Sequence, residues 1–428
     1  MKSLPLAIAI IIALTLRLVN ALFIPCQGGD LIVSDMKGYD RAAMALVQQE
    51  PLGVHTAEKY LFHPLGSDTY HPPGYYYFLA GIYAVAGHSY VAVRAIQALV
   101  DTLTCVLIYL LGKEVFGEAA GMLAASLAAV YPPLIFYTGV LLTESVTTFL
   151  LAGAAWVLFR STRTRQRSRS VLLALAGLLL GLATITRSVL LLSLPFVLIW
   201  LSFVADRWPG WKAAARYALA LLVPVVLVVA PITIRNYQIH SKFILISTNG
   251  GVNFFLGHGG TERLKNKVRN MPEVYSEGEI IGISSRTQPE EEAYFYQLGW
   301  EYIRGHVLPT LRSLPAKLNH MYWASDYWPA SEAQANLLRS VDLVFWRLMI
   351  LPLSLVGLLL FRGQKRRRSG LLYLLILSTV AIPVVFWAQT RFRMPVVPCF
   401  VSLAAGTVYE LYCRLTRKGE SALERTAL

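Results

Sequence analysis

Two aspartates follow the first apolar segment of the sequence and are well placed for acid–base chemistry. Asp35 and Asp40 lie within SDMKGYDRAAMAL, residues 34–46. A carboxylate at a membrane surface can accept the proton of a hydroxyl group that attacks a bound sugar. Their spacing places them on different faces of a helix, so we do not treat them as a pair. Alternatively, both are solvated loop acids, or Asp35 is the N-cap of a following helix.

Glu144 is a further candidate acid, because it lies close to the end of an apolar segment. An acid in this position is costly unless it faces a polar cavity or a cation. Glu144 is therefore either functional or an ion-pair partner of Arg94 or Arg187, and both interpretations stay open. Asp101 lies deeper in an apolar segment, and we predict a structural pairing for it. Arg17 needs a carboxylate partner or a route to the interface.

Basic side chains at the ends of apolar segments are candidates for binding a phosphate. Arg235 begins a long polar region together with Asn236, and Arg391 and Arg393 flank a short turn near the end of the chain. A guanidinium group suits phosphate because it can hold two oxygens at once. His71, which precedes two prolines, is another candidate contact. The alternative for each of these residues is ordinary anchoring at the membrane interface.

The composition predicts an integral membrane protein. Of the 428 residues, 55% are hydrophobic and only 15% are charged, less than in soluble domains of this size. Apolar runs of about 18 or more residues recur, which predicts many membrane-spanning helices. The net charge of +14 is concentrated in short basic stretches, as in cytoplasmic loops, and not in a nucleic-acid interface. The four cysteines have neither metal-ligand spacing nor the setting of a disulfide framework.

Basic stretches at residues 160–170 and 362–368 orient the chain, because such short loops are cytoplasmic. We predict an all-α membrane fold of about ten transmembrane helices with both termini in the cytoplasm. The predicted crossings are residues 4–24, 91–111, 119–131, 139–159, 171–186, 189–204, 214–234, 341–361, 371–387 and 396–412. Parity requires that residues 72–87 do not cross, so these and residues 36–49 are predicted as juxtamembrane amphipathic helices.

The predicted domain organisation is one polytopic membrane domain over residues 1–428. Residues 25–90 form a first extracytoplasmic loop, which would carry the catalytic acid. Residues 235–340 form a second large extracytoplasmic region, too long to be a passive connector. Residues 290–318 within it have the spacing of an amphipathic helix.

A set of motifs in fixed order indicates a family. They are DxxxYDRAA, HPPGYYYFLAG, VRAIQALVDTLTCVLIYLLGKEVFG, YPPLIFYTGVLLTES, GLATITRS, PITIRNYQIHSKFILISTNGGVNFFLGH and RFRMPVVP. Together they resemble the GT-C glycosyltransferases of the protein mannosyltransferase and aminoarabinose transferase type, which are family 39-like. The resemblance extends over residues 4–411, and the last two motifs are its most specific part.

The resemblance implies a chemistry and a location. Such enzymes transfer a sugar from a polyprenyl-phosphate carrier, with inversion, outside a bacterial inner membrane or in the lumen of the endoplasmic reticulum. The family's first-loop acid corresponds to Asp35, and its second acid corresponds to Glu144. The family's Lys-Pro-Pro motif is His71-Pro72-Pro73 here, which changes a phosphate contact. The family's Asp-Glu pair is also altered, because Met36 follows Asp35.

We therefore predict an inverting glycosyltransferase in the bacterial inner membrane that uses a polyprenyl-phosphate-linked sugar. The expected acceptor is a glycan, a lipid or a protein. Membrane lipids are further expected partners, and no nucleic-acid partner is expected. The predicted residues are Asp35 and Glu144 for catalysis, Arg235, Arg391, Arg393 and His71 for the donor phosphate, and Tyr39, Asp40, Tyr75, Asn236 and Asn253 for substrate contacts. No nucleotide-binding or zinc motif is present, so no cofactor is predicted, and metal dependence stays open.

Two other functions fit a polytopic chain with charged residues. A transporter or flippase of lipid-linked sugars would have paired broken helices and acids at mid-membrane. The strongest candidate acids here cluster instead at the predicted outer surface. A polymerase or ligase acting on a pyrophosphate-linked glycan would share the topology but need a larger outer site. The sugar and the acceptor do not follow from the sequence.

Overall fold

The computed structural model describes residues 4–23, 35–48, 59–60, 63–64, 69–205, 210–260, 286–325 and 332–426. Parts of both predicted extracytoplasmic regions, residues 24–34 among them, lie outside these ranges. Within them the regular secondary structure is helical, apart from the two-residue antiparallel strands β1 (Lys59–Tyr60) and β2 (His63–Pro64).

The helices of the first half include one of 27 residues, Tyr90–Phe116, which has shorter helices before and after it. They are α1 (Leu4–Phe23), α2 (Asp35–Gln48), α3 (Gly74–Ala86), α4 (Tyr90–Phe116), α5 (Glu118–Ala129), α6 (Pro132–Thr138), α7 (Glu144–Ser161) and α8 (Gln166–Thr186). The 3₁₀ segment Ser188–Leu192, α9 (Ser193–Ile199) and the π-helical segment Trp200–Ala205 follow.

The second half begins with the long helix α10 (Trp211–His240). Its other helices are α11 (Gly250–Phe255), α12 (Gln288–Gly305), α13 (Val307–Tyr322), α14 (Glu332–Asp342), α15 (Leu351–Leu360), α16 (Gly363–Val385) and α17 (Val397–Thr426). Three shorter segments join them, the π-helical turns Leu256–Gly260 and Leu343–Ile350 and the 3₁₀ segment Thr390–Val396.

Seven helices among the described residues are long and apolar enough to span a membrane, and α5 with α6, bent by 53°, make an eighth. These account for eight of the ten predicted crossings. The other two correspond to α7, whose first residue is Glu144, and to the shorter apolar helix Ser188–Phe203. The predicted crossing at residues 139–159 therefore begins later than expected. Residues 139–143 form a turn before the helix, and Gln97 of α4 donates to the Val140 carbonyl in this turn at 2.8 Å.

The two ends of helix α4 have different surroundings. Its 27 residues correspond to about 40 Å of helix, enough to cross a bilayer. At its C-terminal end, Arg160 and Arg163 both pair with Glu114, and Arg368 Nη1 donates to the Glu114 carbonyl at 2.9 Å. At its N-terminal end, Tyr90 contacts α2. The two basic stretches therefore meet at one end of α4, and the acids of α2 lie at the other.

The two predicted juxtamembrane helices are present as α2 and α3. Helix α2 covers residues 35–48 against the predicted 36–49, and it buries Met36, Tyr39 and Ala43 on one face. Helix α3 has only 13 residues, or about 20 Å, which is too short to span a bilayer. The predicted amphipathic helix at residues 290–318 is also present, but it is divided into α12 and α13 at Gly305 and His306.

Close packing and one buried ion pair hold α1, α4 and α5 together. A Cβ atom on Gly112 of α4 would lie 2.9 Å from the Gly121 Cα atom of α5, so only glycine allows these backbones to approach. Arg17 of α1 pairs with Asp101 of α4, and both side chains are at most 1% exposed. The carboxylate partner predicted for Arg17 and the structural pairing predicted for Asp101 are therefore one and the same contact.

Candidate active site

Two acids from distant parts of the chain meet at one arginine. Asp35 is the first residue of α2, and Glu144 is the first residue of α7. Arg391 Nη2 donates to Asp35 Oδ2 at 2.9 Å, and Arg391 Nη1 lies 4.0 Å from Glu144 Oε1. A carboxylate in the first turn of a helix is also favoured by the helix dipole. The fold thus brings together three of the residues predicted from the sequence.

Arg187 is a fourth charged member that was predicted only as a possible ion-pair partner of Glu144. It follows α8 directly, and its Nη1 donates to Glu144 Oε1 at 3.1 Å. Its guanidinium group lies over the ring of Phe392, 4.5 Å from the centroid, and that of Arg391 lies 5.5 Å from the same centroid. We call Asp35, Glu144, Arg187 and Arg391 the charge cluster. With both acids ionised, its formal charges cancel.

Water has little access to the charge cluster. The side chain of Glu144 is 1% exposed, that of Asp35 is 14% exposed, and the two arginine side chains are each 13% exposed. Charges at such positions interact more strongly than surface pairs and cannot be left unpaired without a large cost. The cluster is therefore a pre-organised electrostatic site, able to stabilise charge that develops on a bound group.

Two amide side chains fix the turn that precedes Glu144. Gln97 Nε2 donates to the carbonyls of Thr138 and Val140 at 3.2 and 2.8 Å, and Asn20 Nδ2 donates to the Ile135 carbonyl at 2.8 Å. The Gln97 oxygen accepts a hydrogen bond from the Tyr75 hydroxyl at 2.7 Å. Tyr75, predicted to contact substrate, is thus buried and bonded within the scaffold. Its contribution is to orient the amide that holds this turn.

A second buried arginine holds the segment that carries Arg391. Arg393 Nη2 donates to Asp342 Oδ2 at 2.9 Å, its Nη1 donates to the Ala324 carbonyl at 3.0 Å, and its guanidinium lies 4.1 Å from the Trp346 ring centroid. The residue is 0% exposed. Arg393 was predicted to bind the donor phosphate, but these contacts account for it as a structural residue.

Tyr39 and His71 form an aromatic wall beside Asp35. Their ring centroids are 4.7 Å apart, and the Tyr75 ring lies 5.0 Å from Tyr39 in an edge-on arrangement. Burial raises the pKa of Tyr39 far above its ordinary value, and the negative charge of Asp35 raises it further. Tyr39 therefore keeps its proton and remains a hydrogen-bond donor next to the acid.

Asp40 anchors α2 and lies apart from the charge cluster. Its Oδ1 accepts from the Tyr83 hydroxyl at 2.7 Å and lies 2.8 Å from His88 Nε2, and its Oδ2 accepts from the Tyr90 hydroxyl at 3.0 Å. Asp40 was predicted to contact substrate. The structure instead commits both of its oxygens to the α3–α4 turn, which fixes the helix that starts with Asp35.

Replacing Asp40 with alanine is expected to lower the free energy of unfolding by about 2–3 kcal/mol, because partners of a charged acceptor lose their bonds. Thermal unfolding of the purified protein in detergent measures this loss. Tyr83→Phe removes one bond and leaves the carboxylate with the others, so its loss should be smaller. An Asp40→Ala variant that is as stable as the wild type would contradict the anchoring role.

The segment from Thr69 to His71 connects the aromatic wall to α10, α12 and the loop that follows α10. Thr248 N donates to the Thr69 carbonyl at 2.7 Å, and the Thr69 hydroxyl lies 3.0 Å from His240 Nε2. The same hydroxyl donates to the Gln288 side chain at the start of α12. The chain that places His71 beside Tyr39 is therefore held in position by α10, α12 and the loop between α10 and α11.

Three other residues predicted for the site, Arg235, Asn236 and Asn253, lie in α10 and α11. Asn236 is buried, and its Nδ2 donates to the Ile244 and Ile246 carbonyls at 3.3 and 3.1 Å, which folds the loop after α10. Arg235 is half-buried beside it, with Nη1 3.3 Å from Asn236 Oδ1. Asn253 accepts at its backbone carbonyl from Trp387 N at 2.8 Å. Asn236 and Asn253 thus make scaffold contacts, and no contact described here brings any of the three into the charge cluster.

Glu292 of α12 is an acid that the sequence did not single out. Burial raises its pKa from an ordinary 4.5 to about 7, although the backbone N–H groups of Gly250 and Gly251 donate to it and favour its charged form. A Cβ on Gly251 would lie 2.2 Å from the Glu292 carbonyl oxygen, so the two glycines permit this close approach. The sequence signal for this contact is the glycine pair in TNGGVNFF, because glycines allow another backbone to approach closely.

The raised pKa of Glu292 predicts a pH-dependent stability. The folded protein holds this proton more tightly than the unfolded chain, so the contribution of Glu292 is most favourable below pH 4.5 and is lost as the pH rises to about 7. Glu292→Gln should remove that slope and be more stable than the wild type at pH 8, by on the order of 2 kcal/mol. Thermal unfolding between pH 5 and pH 8 tests this. Equal slopes for the two proteins would contradict it, and Glu301→Gln on the exposed face of α12 is the matched control.

The described residues include no group of three or more His, Cys, Asp or Glu side chains that could hold a metal ion. The cations beside the two acids are instead the guanidinium groups of Arg187 and Arg391. A positively charged partner for a phosphate is therefore built into the chain at this point.

Known proteins share sequence features and the fold with this chain. A family model described as dolichyl-phosphate-mannose-protein mannosyltransferase matches residues 70–234, a range that includes His71, Glu144 and Arg187. No curated protein sequence matches the chain. The match to the family model agrees with the family resemblance predicted from the sequence.

Two similar solved structures are of the oligosaccharyltransferase of Archaeoglobus fulgidus. One is AglB in complex with an inhibitory peptide and a dolichol-phosphate, with a TM-score of 0.60, 17% identity, and coverage of 98% of this chain and 52% of that chain. The other is the apo form, with a TM-score of 0.58, 15% identity, and coverage of 99% of this chain and 52% of that chain. The chain thus spans about half the length of these archaeal proteins.

ArnT from Cupriavidus metallidurans bound to undecaprenyl phosphate also matches, with a TM-score of 0.44, 14% identity, and coverage of 95% of this chain and 78% of that chain. At these identities, the likeness to the archaeal structures establishes the fold. The all-α, multi-pass membrane fold of GT-C type that was predicted from the sequence is confirmed.

Proposed function

We propose that this protein of GT-C fold is an inverting glycosyltransferase that moves a sugar from a polyprenyl-phosphate carrier to an acceptor. The observation that carries the proposal is Arg391, whose guanidinium lies between Asp35 and Glu144 at the start of two helices. Arg391 supplies a cation that suits a phosphate leaving group. It lies in contact with Asp35, a carboxylate that suits proton transfer. The acceptor is a hydroxyl or a phosphate of a glycan, a lipid or a protein.

Asp35 is the proposed general base. It is the more exposed of the two acids, at 14% against 1% for Glu144, so an acceptor can reach it. The acceptor oxygen attacks the anomeric carbon from the face opposite the phosphate, its proton passes to Asp35, and the bond from that carbon to the phosphate oxygen breaks. The configuration inverts, and polyprenyl phosphate leaves. If the acceptor is a phosphate, Asp35 only positions it.

An exchange of partners at Arg391 accompanies binding of the donor. In the free protein, Arg391 donates to Asp35 at 2.9 Å and so withholds the oxygen that a base needs. A phosphate presents oxygens that a guanidinium holds in a bidentate manner. When the carrier phosphate binds Arg391, Asp35 is released for the acceptor. Glu144 and Arg187 keep the guanidinium in place during this exchange, and His71 borders the ligand.

The topology of this proposal places the charge cluster outside the cytoplasm. The basic stretches at residues 160–170 and 362–368 meet at the C-terminal end of α4, which by the positive-inside rule is the cytoplasmic end. The N-terminal end of α4 and the acids of α2 then face the extracytoplasmic side. We propose a bacterial inner membrane, with both termini in the cytoplasm, and with residues 25–90 and 235–340 forming the two extracytoplasmic regions of one membrane domain.

The test is transfer by the purified protein in lipid nanodiscs. Undecaprenyl-phosphate-linked hexoses and pentoses, each radiolabelled in the sugar, are incubated with it and with a cell-envelope lipid and glycan extract. The proposal expects one donor to yield free undecaprenyl phosphate together with a labelled product. Turnover only of pyrophosphate-linked glycans would overturn it and favour a ligase.

A flippase is distinguished in the same system, because it moves a donor across the membrane without cleaving it. Among the described residues one bent pair of helices, α5 with α6, could form a broken span, and no matching pair lies in the described part of the second half. Proteoliposomes with labelled donor on one side separate the two functions. Labelled sugar that crosses while still attached to its carrier would contradict the transferase proposal.

A further inference from the structure

Two buried polar atoms next to the charge cluster have no hydrogen-bond partner among the residues that the structure describes. They are Glu144 Oε2 and the hydroxyl oxygen of Tyr137. Each of the two residues is only 1% exposed. A buried polar group of this kind destabilises the folded protein if it stays unsatisfied, so its presence needs a reason. The other oxygen of Glu144 is already bonded to Arg187.

The two atoms belong to one site. Tyr137 lies in the last turn of α6, and its carbonyl accepts from the Ser145 hydroxyl at 3.2 Å, which ties it to the first turn of α7. Tyr137 and Glu144 flank the same short turn between α6 and α7, and Arg391 Nη1 lies 4.0 Å from Glu144 Oε1. Both unpartnered atoms therefore lie where the fold has placed the proposed reacting groups.

The chemistry of the two atoms selects their ligand. Ionised Glu144 can only accept a hydrogen bond, whereas the Tyr137 hydroxyl can both donate and accept. A phosphate brings only acceptors and negative charge, so Glu144 repels it. An ammonium group would join Arg187 and Arg391, whose charges already match those of the acids. A neutral hydroxyl group fits both atoms, because it donates to Glu144 and accepts from Tyr137.

We infer that Tyr137 and Glu144 form a subsite for one hydroxyl group of the donor sugar. This inference rests on the proposed transferase function and extends it to the recognition of the sugar. Glu144 then has a binding role besides its contact with the arginines, and Tyr137 selects sugars that carry a hydroxyl at one position. With Arg391 on the phosphate, the subsite fixes the sugar ring at a second point and so orients its anomeric carbon toward Asp35.

The test compares wild-type protein with Tyr137→Phe on the best undecaprenyl-phosphate donor and on its deoxy analogues, each lacking one hydroxyl. Removing the phenolic group should raise the donor KM about tenfold, the value of one hydrogen bond of about 1.4 kcal/mol. For wild type, one deoxy analogue should show the same rise. For Tyr137→Phe that analogue should be no worse than the parent donor. Tyr373→Phe, which loses a bond to the Ser354 carbonyl elsewhere, is the matched control and should keep the wild-type preference.

Stability of the free protein separates this role from a structural one. If the Tyr137 hydroxyl has no protein partner, Tyr137→Phe should unfold at the wild-type temperature or above it. A clear loss of stability, with every deoxy analogue ranked as for wild type, would show that Tyr137 bonds within the protein and would overturn the inference. Equal KM values for all analogues with both proteins would overturn it as well. Absence of transfer by wild type from every donor would instead defeat the proposed function, and the subsite with it.

Discussion

Asp35→Asn is expected to reduce the rate of sugar transfer by about 10³-fold or more while leaving the protein folded, because proton transfer by a positioned base contributes about 10²–10⁴-fold. Asparagine retains the shape of the side chain and can still accept from Arg391, but it cannot take the acceptor proton. The measurement is the initial rate of product formation in nanodiscs at saturating donor. Donor binding, measured as a shift in unfolding temperature, should persist because the substitution leaves the guanidinium group of Arg391 in place to hold the phosphate.

Two controls give this result its meaning. Glu301→Gln makes the same change of carboxylate to amide on the exposed surface of α12, where its neighbour is Gln297, and should leave the rate unchanged. Arg391→Lys should weaken donor binding, because an ammonium group cannot replace the two-pronged contact of a guanidinium. Transfer at the wild-type rate by Asp35→Asn would show that the base is another group, or that the acceptor is already ionised and Asp35 only orients it.

Asp101→Ala is expected to cause the largest loss of stability among the substitutions considered, about 3–5 kcal/mol, because it leaves a buried cation without its counter-ion. Arg17 and Asp101 are 0% and 1% exposed, and water cannot replace the lost carboxylate there. Thermal and denaturant unfolding of the purified protein in detergent would measure the loss. The expected fall in unfolding temperature is several degrees.

The matched control is the double variant Arg17→Leu with Asp101→Leu, which removes both charges. It should recover most of the loss, since an apolar pair of similar volume often replaces a buried ion pair without cost. Recovery should be incomplete, because Arg17 also donates to the Ala128 and Ala129 carbonyls at 3.0 and 2.9 Å. These are the last residues of α5, whose carbonyls lack partners within the helix. Full stability in Asp101→Ala alone would contradict the ion-pair role.

Much of the fold could be predicted from the sequence, because a bilayer requires long apolar runs in the helices that cross it and favours basic residues in the cytoplasmic loops. The surface helices α2 and α3 were predicted from periodicity, from length and from the parity of crossings. The start of α7 was not, because the turn before Glu144 is made by Gln97 and Asn20, which belong to other helices. The division of α12 from α13 was missed, although Gly305 has the low helix propensity that would favour a break.

The site was only partly predictable, for the same reason. Asp35, Glu144 and Arg391 were identified by residue type and position, and the fold brings them together. Arg393 has the same type and almost the same position as Arg391. Only the structure distinguishes them, because it buries Arg393 against Asp342, which is 51 residues away. Asp40 and Tyr75 were chosen for their chemistry, and their hydrogen bonds turn out to be to neighbouring helices. Tyr137 gave no signal in the sequence.

The cancellation of charge within the charge cluster has a consequence for the design of inhibitors. A small anion that approaches the free protein meets an arginine whose charge is already neutralised, so it gains little unless it also compensates the acid it displaces. A zwitterionic head group can do both. Its anionic end would take the guanidinium of Arg391, and an amidinium or ammonium end would take the carboxylate of Asp35. Compounds of that kind should therefore outcompete simple phosphonates of the same tail length.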